Sequence, residues 1–475
     1  MNRWNIFCNF IEKNLGTDAR ALTDFLATPT YTTQRGIRFN PARALLPHQQ
    51  ITDALQQCGI HVESSIPWEP LGYSHSCATL GSHFLHHAGA FYIQEPSAML
   101  PASLLPLHEG GVYLDLCAAP GGKTSQICGR AIDQKLNITL VANETVASRH
   151  AVLTSNLERL GLLSYVCPVN FTPDTLALEL PAYFDGILVD APCSGEGMFG
   201  RDPLSIDHWS PEHVESCAQR QLAILRSAVA LLRPGGHIVY STCTVNSIEN
   251  EAVVAWFLHE FPEFSSVTQE PPAGTRAGID GIGLRIWPQD GSGDGQYCAL
   301  LQHGSNSPVP PLQNRTPMKR AKTTAPTSTE QSLLSEVTTG EWVQQEKNHL
   351  HKVGDTLFWL PPAWRTLPIA ARGIALGKIR GQQKISFLPS HTLAMLDLPT
   401  LHTHYCKLTE QEVIRYIQGH PLQRDIAPAT GWKIACALEG APLGWIKWHA
   451  NGEGKNHLPS GLYMRRPMNF AMNQT

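Results

Sequence analysis

The sequence predicts an α/β fold: a doubly wound, mostly parallel sheet, with a small N-terminal α/β unit before it and a β-rich, basic region after it. Three observations carry that prediction. Short apolar strands alternate with helical stretches between residues 112 and 242, and such alternation means a parallel sheet with crossover helices. The first of these strands ends in Pro120-Gly121-Gly122, a turn that delivers the chain into a helix at the carboxyl end of the sheet. Between residues 303 and 331 the composition shifts to Ser, Pro, Thr, Asn and Lys with few large apolar side chains, which marks a linker.

Length and composition bound the rest. A chain of 475 residues exceeds one ordinary core, and 42% hydrophobic with 16% charged residues describes a globular protein. No apolar run approaches a membrane span, and the start, Met-Asn-Arg-Trp-Asn-Ile-Phe-Cys, lacks a cleavable signal pattern, so the chain is expected to stay in the cytoplasm; a monomer is expected as well. The 12 cysteines form no Cys-x-x-Cys pair and no Cys/His cluster at zinc spacing. His349/His351 and His402/His404 alternate at strand spacing without acid or thiol partners, so no metal is expected. Charge is uneven: residues 1–302 hold 17 Lys+Arg against 29 Asp+Glu, or −12, and residues 303–475 hold 19 against 11, or +8. A basic C-terminal portion on an acidic body points to contact with a polyanion.

Taken in order, residues 1–90 read as the N-terminal unit. Phe7, Phe10, Ile11 and Leu15 share one helical face, a second helix surrounds Ala21 to Leu26, an extended segment runs from Tyr31 to Phe39, and a helix from Pro47 to Cys58. Arg35 and Arg38 flank the presumed strand and read as ordinary edge charges in preference to RNA contacts. Residues 91–302 form the main unit, opening on Phe91-Tyr92-Ile93 as a short strand that runs into a helix started by Pro96. Strands follow at 112–117, 138–143, 165–169, 184–190 and 237–242, with helices from about 123, at 146–160 and at 211–232, and Tyr297 to Leu301 is expected as a final edge strand. After the linker at 303–331, residues 332–475 show β-like runs at Thr356–Leu360, Ile385–Leu388, Trp432–Leu438 and Leu443–Trp448, suited to two small units.

The glycine turn is a ligand cradle, in which backbone N–H groups at a helix N-terminus meet a ligand at close range. Spacing excludes two familiar ligands. Gly122-Lys123-Thr124 ends like a P-loop, but Cys117 stands where the first glycine is required, and no third glycine completes a dinucleotide fingerprint. Asp115 before the turn and Glu144 after the next strand suggest instead a nucleoside carrying an amino acid, because a carboxylate closing the second strand can accept from both ribose hydroxyls. S-adenosylmethionine fits that demand.

Two further turns end strands of the same sheet: Asp190-Ala191-Pro192-Cys193-Ser194-Gly195 and Ser241-Thr242-Cys243-Thr244. Carbon 5 of cytosine is a poor nucleophile until a thiolate adds at carbon 6, so its methylation requires a cysteine, a carboxyl group for the base edge, and later removal of the carbon 5 proton. Asp190, Cys193 and Cys243 match that inventory. Amino-group methylation, by contrast, uses an Asn/Asp-Pro-Pro-aromatic turn that needs no thiol.

These turns, with Asp115-Leu116-Cys117-Ala118-Ala119-Pro120-Gly121-Gly122-Lys123-Thr124 and Gln94-Glu95-Pro96-Ser97-Ala98-Met99, closely resemble the NOL1/NOP2/Sun family of RNA cytosine-5 methyltransferases over about residues 1–302. The basic tail is similar to that of the bacterial small-subunit rRNA methyltransferase F group, which includes a PUA-like RNA-binding domain; Trp445-Ile446-Lys447, Lys455-Asn456 and Pro459 fit it more loosely. The resemblance implies a Rossmann-like methyltransferase domain acting on RNA, 16S rRNA or the small ribosomal subunit, to form 5-methylcytidine. It implies Cys243 as nucleophile, Cys193 in product release and Asp190 on the cytosine edge. Cys117, Ala118, Ala119, Pro120, Gly121, Gly122 and Lys123 would grip the cofactor and Glu144 the ribose. The family's acidic residue after the third strand is replaced: Asn170-Phe171-Thr172 occupies the place, Thr172 stands at the aspartate's position, and Asn170, Thr172 or Asp174 is left to contact the adenine side. A transfer RNA cytosine-5 methyltransferase would share every catalytic residue, and a catalytically idle ribosome-assembly factor would share the fold but has no need of intact Lys123, Asp190, Cys193 and Cys243.

Overall fold

The computed structural model describes residues 3–28, 35–305, 323–369, 372–381, 385–425 and 429–467. The start of the expected Tyr31–Phe39 segment and most of the expected linker lie outside the described residues.

Among the described residues nine strands form the central sheet, in the order 276–277, 284–286, 296–303, 232–242, 184–190, 112–115, 139–143, 166–169, with 264–266 pairing beside 296–303. The five strands from 112 to 242 run parallel, and Leu114, Val141, Ile187, Leu188, Val189, Ile238 and Val239 fill its interior, fully or nearly fully buried, as expected of strands covered on both faces. Gln296–His303 is not the edge strand expected from its position late in the unit: it lies antiparallel to Leu232–Thr242 and carries Leu284–Ile286 on its other side. Its burial, with only Gln302 exposed, reflects that inner place.

The N-terminal sheet has the order Val62–Ile66, Glu69–His75, Arg35–Phe39, Phe91–Ile93. Phe91–Ile93, expected to open the next unit, pairs antiparallel with Arg35–Phe39 and so closes this sheet instead. A short helical turn, Ser97–Met99, and the helix Leu100–Leu104 then lead to the central sheet. The helices Arg3–Leu15 and Thr17–Leu26 pack elsewhere: Phe7, Ile11 and Leu15 meet Phe199, Trp209, Val245 and Trp287, beyond the cysteine turns.

Beyond residue 323 the helix Ser328–Ser335 begins at a capping box formed by Thr327 and Glu330. Two sheets follow, one of four strands spanning 350–389 and one of five strands spanning 405–456. They do not hang from a tether. Cys406, Val413, Tyr416, Leu443 and Trp448 share an apolar core with Ile37, Ile51, Leu55 and Phe91 of the N-terminal unit.

Two buried arginines clasp the parts together, and the reading of Arg38 as an edge charge fails here. Arg38 is 2% exposed and donates to Gly122 O at 3.1 Å, Ser125 O at 3.2 Å and Gln94 Oε1 at 3.3 Å, so it ties the N-terminal sheet to the first turn of the helix after the glycine turn. Arg43 donates to Ala88 O at 3.0 Å, Arg159 O at 2.8 Å and Met395 O at 2.9 Å, one carbonyl from each of three regions of the chain. No helix among the described residues is long and apolar enough to cross a membrane. Replacing Arg43 by Ala orphans three buried carbonyls, and the expected loss is about 3 kcal/mol or more. Urea unfolding of the full chain followed by tryptophan fluorescence checks this, and an unchanged midpoint would show that Arg43 is no clasp.

Candidate active site

Three strand ends converge at the carboxyl edge of the central sheet. The strand Val112–Asp115 leads into the turn, where Gly121 adopts φ +106°, a left-handed conformation suited to glycine, and the helix Gly122–Asp133 follows at once. Cys117, Ala118, Ala119, Pro120, Gly122 and Lys123 line a cavity of 190 Å³, closed on the far side by Tyr92–Glu95 and reaching Asp190. Asp115 stands at its base. Thr124 donates to Asp115 Oδ2 at 2.6 Å, while Oδ1 is buried with no partner among the described residues. Burial raises this carboxyl to about 7, opposed by the Thr124 hydrogen bond and reinforced by Asp190.

Asp190, the last residue of strand Phe184–Asp190, is held from two sides. Lys123 Nζ lies 2.7 Å from Oδ2 and Ser241 Oγ donates to Oδ1 at 2.8 Å. Burial works against the Lys123 charge, but Asp190 outweighs it and holds the ammonium above its ordinary value. The two cysteine turns meet next to this pair: Cys193 Sγ and Cys243 Sγ are 3.3 Å apart. That contact and burial push the Cys193 thiol well above its ordinary value. Cys117 is also raised, by burial first and then by the carboxylates of Asp115, Asp190 and Glu144, so it is an inert wall of the cavity.

A polar network that the sequence reading missed fixes the two turns. Glu249 accepts from Ser194 N–H at 3.1 Å, Gln221 Nε2 at 2.8 Å and Asn246 Nδ2 at 2.9 Å, and its backbone carbonyl accepts from Tyr240 at 2.6 Å. Glu196 accepts from Asn246 N–H and Trp209 Nε1, both at 2.9 Å. Both carboxyls are raised by burial, and both are offset by these donors. The available signal was Asn246 to Glu251, a dense polar run between an apolar strand and an apolar helix.

Glu144 follows strand Thr139–Asn143, is 4% exposed, accepts from Val146 N–H at 2.9 Å and pairs with Arg149 at 3.3 Å. Arg149 also donates to Ala119 O at 2.9 Å, so it links the ends of the first two strands. The three candidates after the third strand differ. Thr172 caps the helix Pro173–Glu179, accepting from Thr175 N–H, and is exposed. Asp174 accepts from Ser227 Oγ at 2.6 Å on the helix Pro211–Leu231. Asn170 turns to the Glu144 loop, donating to the carbonyls of Glu144 and Thr145.

Residues 102–302 match the family model of the 16S rRNA methyltransferase RsmB/F, residues 5–96 that of the N-terminal domain of 16S rRNA methyltransferase RsmF, and residues 404–464 that of the methyltransferase RsmF PUA domain. The chain is 32% identical to the ribosomal RNA small subunit methyltransferase F of Pectobacterium atrosepticum, over 93% of this chain and 92% of that protein. It is 31% identical to the protein of the same name from Shewanella oneidensis, over 96% of each. Among solved structures, a methyltransferase homologue from Pyrococcus horikoshii aligns over 62% of this chain and 94% of its own at 26% identity and TM-score 0.52. NSun6 of the same organism, solved with SFG, shares the fold over 63% of this chain and 97% of its own, at 21% identity and TM-score 0.54.

The raised Asp115 gives a pH prediction. The folded carboxyl keeps its proton to about 7 and the unfolded one to 3.8, so unfolding releases a proton between these values. The contribution to stability is complete below the unfolded value and is lost as pH rises through the folded one, at up to about 1.4 kcal/mol per pH unit. In Asp115→Asn, chemical denaturation across this range should lose that part of the slope; an identical slope would mean that the carboxyl is charged throughout.

Proposed function

The chain belongs to the 16S rRNA methyltransferase RsmB/F family, and we propose that it forms 5-methylcytidine in 16S rRNA through a transient bond between Cys243 and carbon 6 of the base. The observation that carries this reading is the 3.3 Å contact of two thiols at the ends of adjacent strands, beside the Lys123–Asp190 pair and the glycine cradle.

The cradle fits S-adenosylmethionine. It offers a half-open cavity, an Asp115 oxygen that no described side chain or backbone group occupies, and a buried carboxylate, Glu144, at the next strand end for the ribose. When bound, the cofactor supplies an electrophilic methyl group on a sulfonium. Of the residues after the third strand, Asn170 is the one that faces the ribose-binding loop, so the adenine side is contacted by a neutral amide and not by Thr172 or Asp174.

The chain's own residues perform the remaining steps. Cys243 adds at carbon 6, and Cys193, whose thiol is held up by its contact with Cys243 and by burial, stays beside it for the release step. Asp190 accepts from the exocyclic amino group of the cytosine, and the Lys123 ammonium beside it offsets the negative charge that develops at N3 on addition. After transfer, the carbon 5 proton leaves to a base, the electrons of that bond re-form the ring double bond, and the bond from carbon 6 to Cys243 breaks, with Cys193 assisting release. The basic C-terminal region, which contains the PUA match, holds the RNA through its phosphates.

Two measurements test these roles. Cys193→Ala should accumulate an RNA–protein adduct that survives denaturing electrophoresis, and Cys243→Ala should give none; the reverse pattern would exchange the two cysteines. Glu144→Ala removes a charged hydrogen-bond acceptor worth about 1.5–3 kcal/mol, so S-adenosylmethionine should bind about ten- to a hundredfold more weakly by calorimetry. Unchanged affinity would remove Glu144 from the cofactor site.

A further inference from the structure

A second cavity, of 260 Å³, opens beside the cofactor cavity and shares Ile93, Gln94 and Glu95 with it as a common wall. Its other walls bring cations together from distant parts of the chain. Arg35, at the start of the strand Arg35–Phe39, is exposed. Arg201 follows the first cysteine turn, is 41% exposed and is anchored by Asp294 at 2.6 Å. Asp294 is itself fixed, its N–H donating to Glu95 Oε1 at 3.0 Å, so the guanidinium is tied to the shared wall. His75 also lines the cavity, 4% exposed, with Gly36 of the paired strand as its backbone hydrogen-bond partner.

Two guanidiniums on the walls of one cavity select an anion with oxygens on several sides. The carboxylates nearby do not meet that need. Glu95 accepts from Ser97 N–H and Ala98 N–H, both at 3.0 Å, and Asp294 serves to orient Arg201. Resting on the RNA-methylation reading, we propose that this cavity holds a phosphodiester of the RNA strand next to the nucleotide being methylated, with Arg35 and Arg201 on its oxygens. A target base turned out into the catalytic cavity leaves its own backbone at the mouth, and the shared wall places this anion site one step away. The contact recognises backbone and not base, so it sets the register of the strand and carries no sequence information.

The test uses the full chain with unmodified 16S rRNA, comparing wild type, Arg35→Gln, Arg201→Gln and the double variant across a salt series. Each substitution should flatten the slope of log affinity against log salt by about 0.7–0.9, one phosphate contact, and raise the KM for RNA several-fold, while kcat at saturating RNA and the affinity for S-adenosylmethionine stay unchanged. Arg201→Gln breaks the ion pair with Asp294, so Arg201→Lys is the companion variant: it should restore the salt slope with incomplete recovery of KM. An unchanged salt slope in the exposed Arg35→Gln and in a folded double variant would overturn the proposal. So would equal weakening by inorganic phosphate of RNA binding to wild type and to the double variant, since a phosphate site there must be lost with its arginines. The methylation reading fails separately, if Cys193→Ala forms no adduct with RNA; adduct formation with unaltered salt slopes would refute this site alone.

Discussion

Two buried carboxylates, Glu196 and Glu249, set the condition on which the catalytic geometry depends. A carboxylate withdrawn from water needs several donors, and here the donors come from both cysteine turns: Ser194 from the first, Asn246 and Val245 from the stretch after the second. Loops that supply these bonds cannot drift apart without leaving a charge unsolvated. The 3.3 Å approach of Cys193 and Cys243, 50 residues apart in the chain, is therefore enforced by polar groups behind the sulfurs. Gln221 extends the clamp by donating both to Glu249 and to Pro192 O, which fixes the backbone just before Cys193 to the long helix beneath.

The same logic operates at the junctions between units, with the signs reversed. Arg38 and Arg43 are buried cations held by backbone carbonyls, and carbonyls left over at turns and helix starts are the acceptors such positions provide. Arg38 reaches the first turn of the helix behind the glycine turn, so the cofactor cradle and the N-terminal sheet move as one body. Arg43 extends this to Met395. The C-terminal region is consequently part of the same packed structure, sharing a core with the N-terminal sheet, in spite of the change in composition between residues 303 and 331.

The parallel sheet and its three functional turns were legible because each is a local pattern: an apolar run, then glycine or proline, then a helix. Asp190, Cys193 and Cys243 came from that pattern together with a demand of chemistry, and Lys123 from the family resemblance. What escaped was non-local. Arg38 is indistinguishable in sequence from an edge-strand charge, and only the strand Phe91–Ile93 folding back on Arg35–Phe39 buries it. Gln296–His303 read as an edge because nothing local announces that Leu284–Ile286 will pair on its far side. Thr172 illustrates a third limit: a threonine followed by proline is a good helix cap, and its place in the motif alone does not distinguish that local role, which the structure shows, from a contact with the cofactor.

Burial also changes what the charge count means. Residues 1–302 carry 29 acidic and 17 basic side chains, but seven of the acids are buried, among them Asp115, Glu144, Glu196 and Glu249, against the three arginines Arg38, Arg43 and Arg285. About a third of the excess acid is thus interior, committed to the network and the cofactor cavity, and 22 acids against 14 bases remain on or near the surface. The body that holds the active site still repels a polyanion. Long-range attraction must come from the basic C-terminal region, which falls off within a Debye length of about 8–10 Å, and so cannot by itself position a strand at the thiols. A body of this charge needs a few local cations at the mouth of the site to admit the phosphate that accompanies the target base, and Arg35 and Arg201 are the cations lining the cavity there.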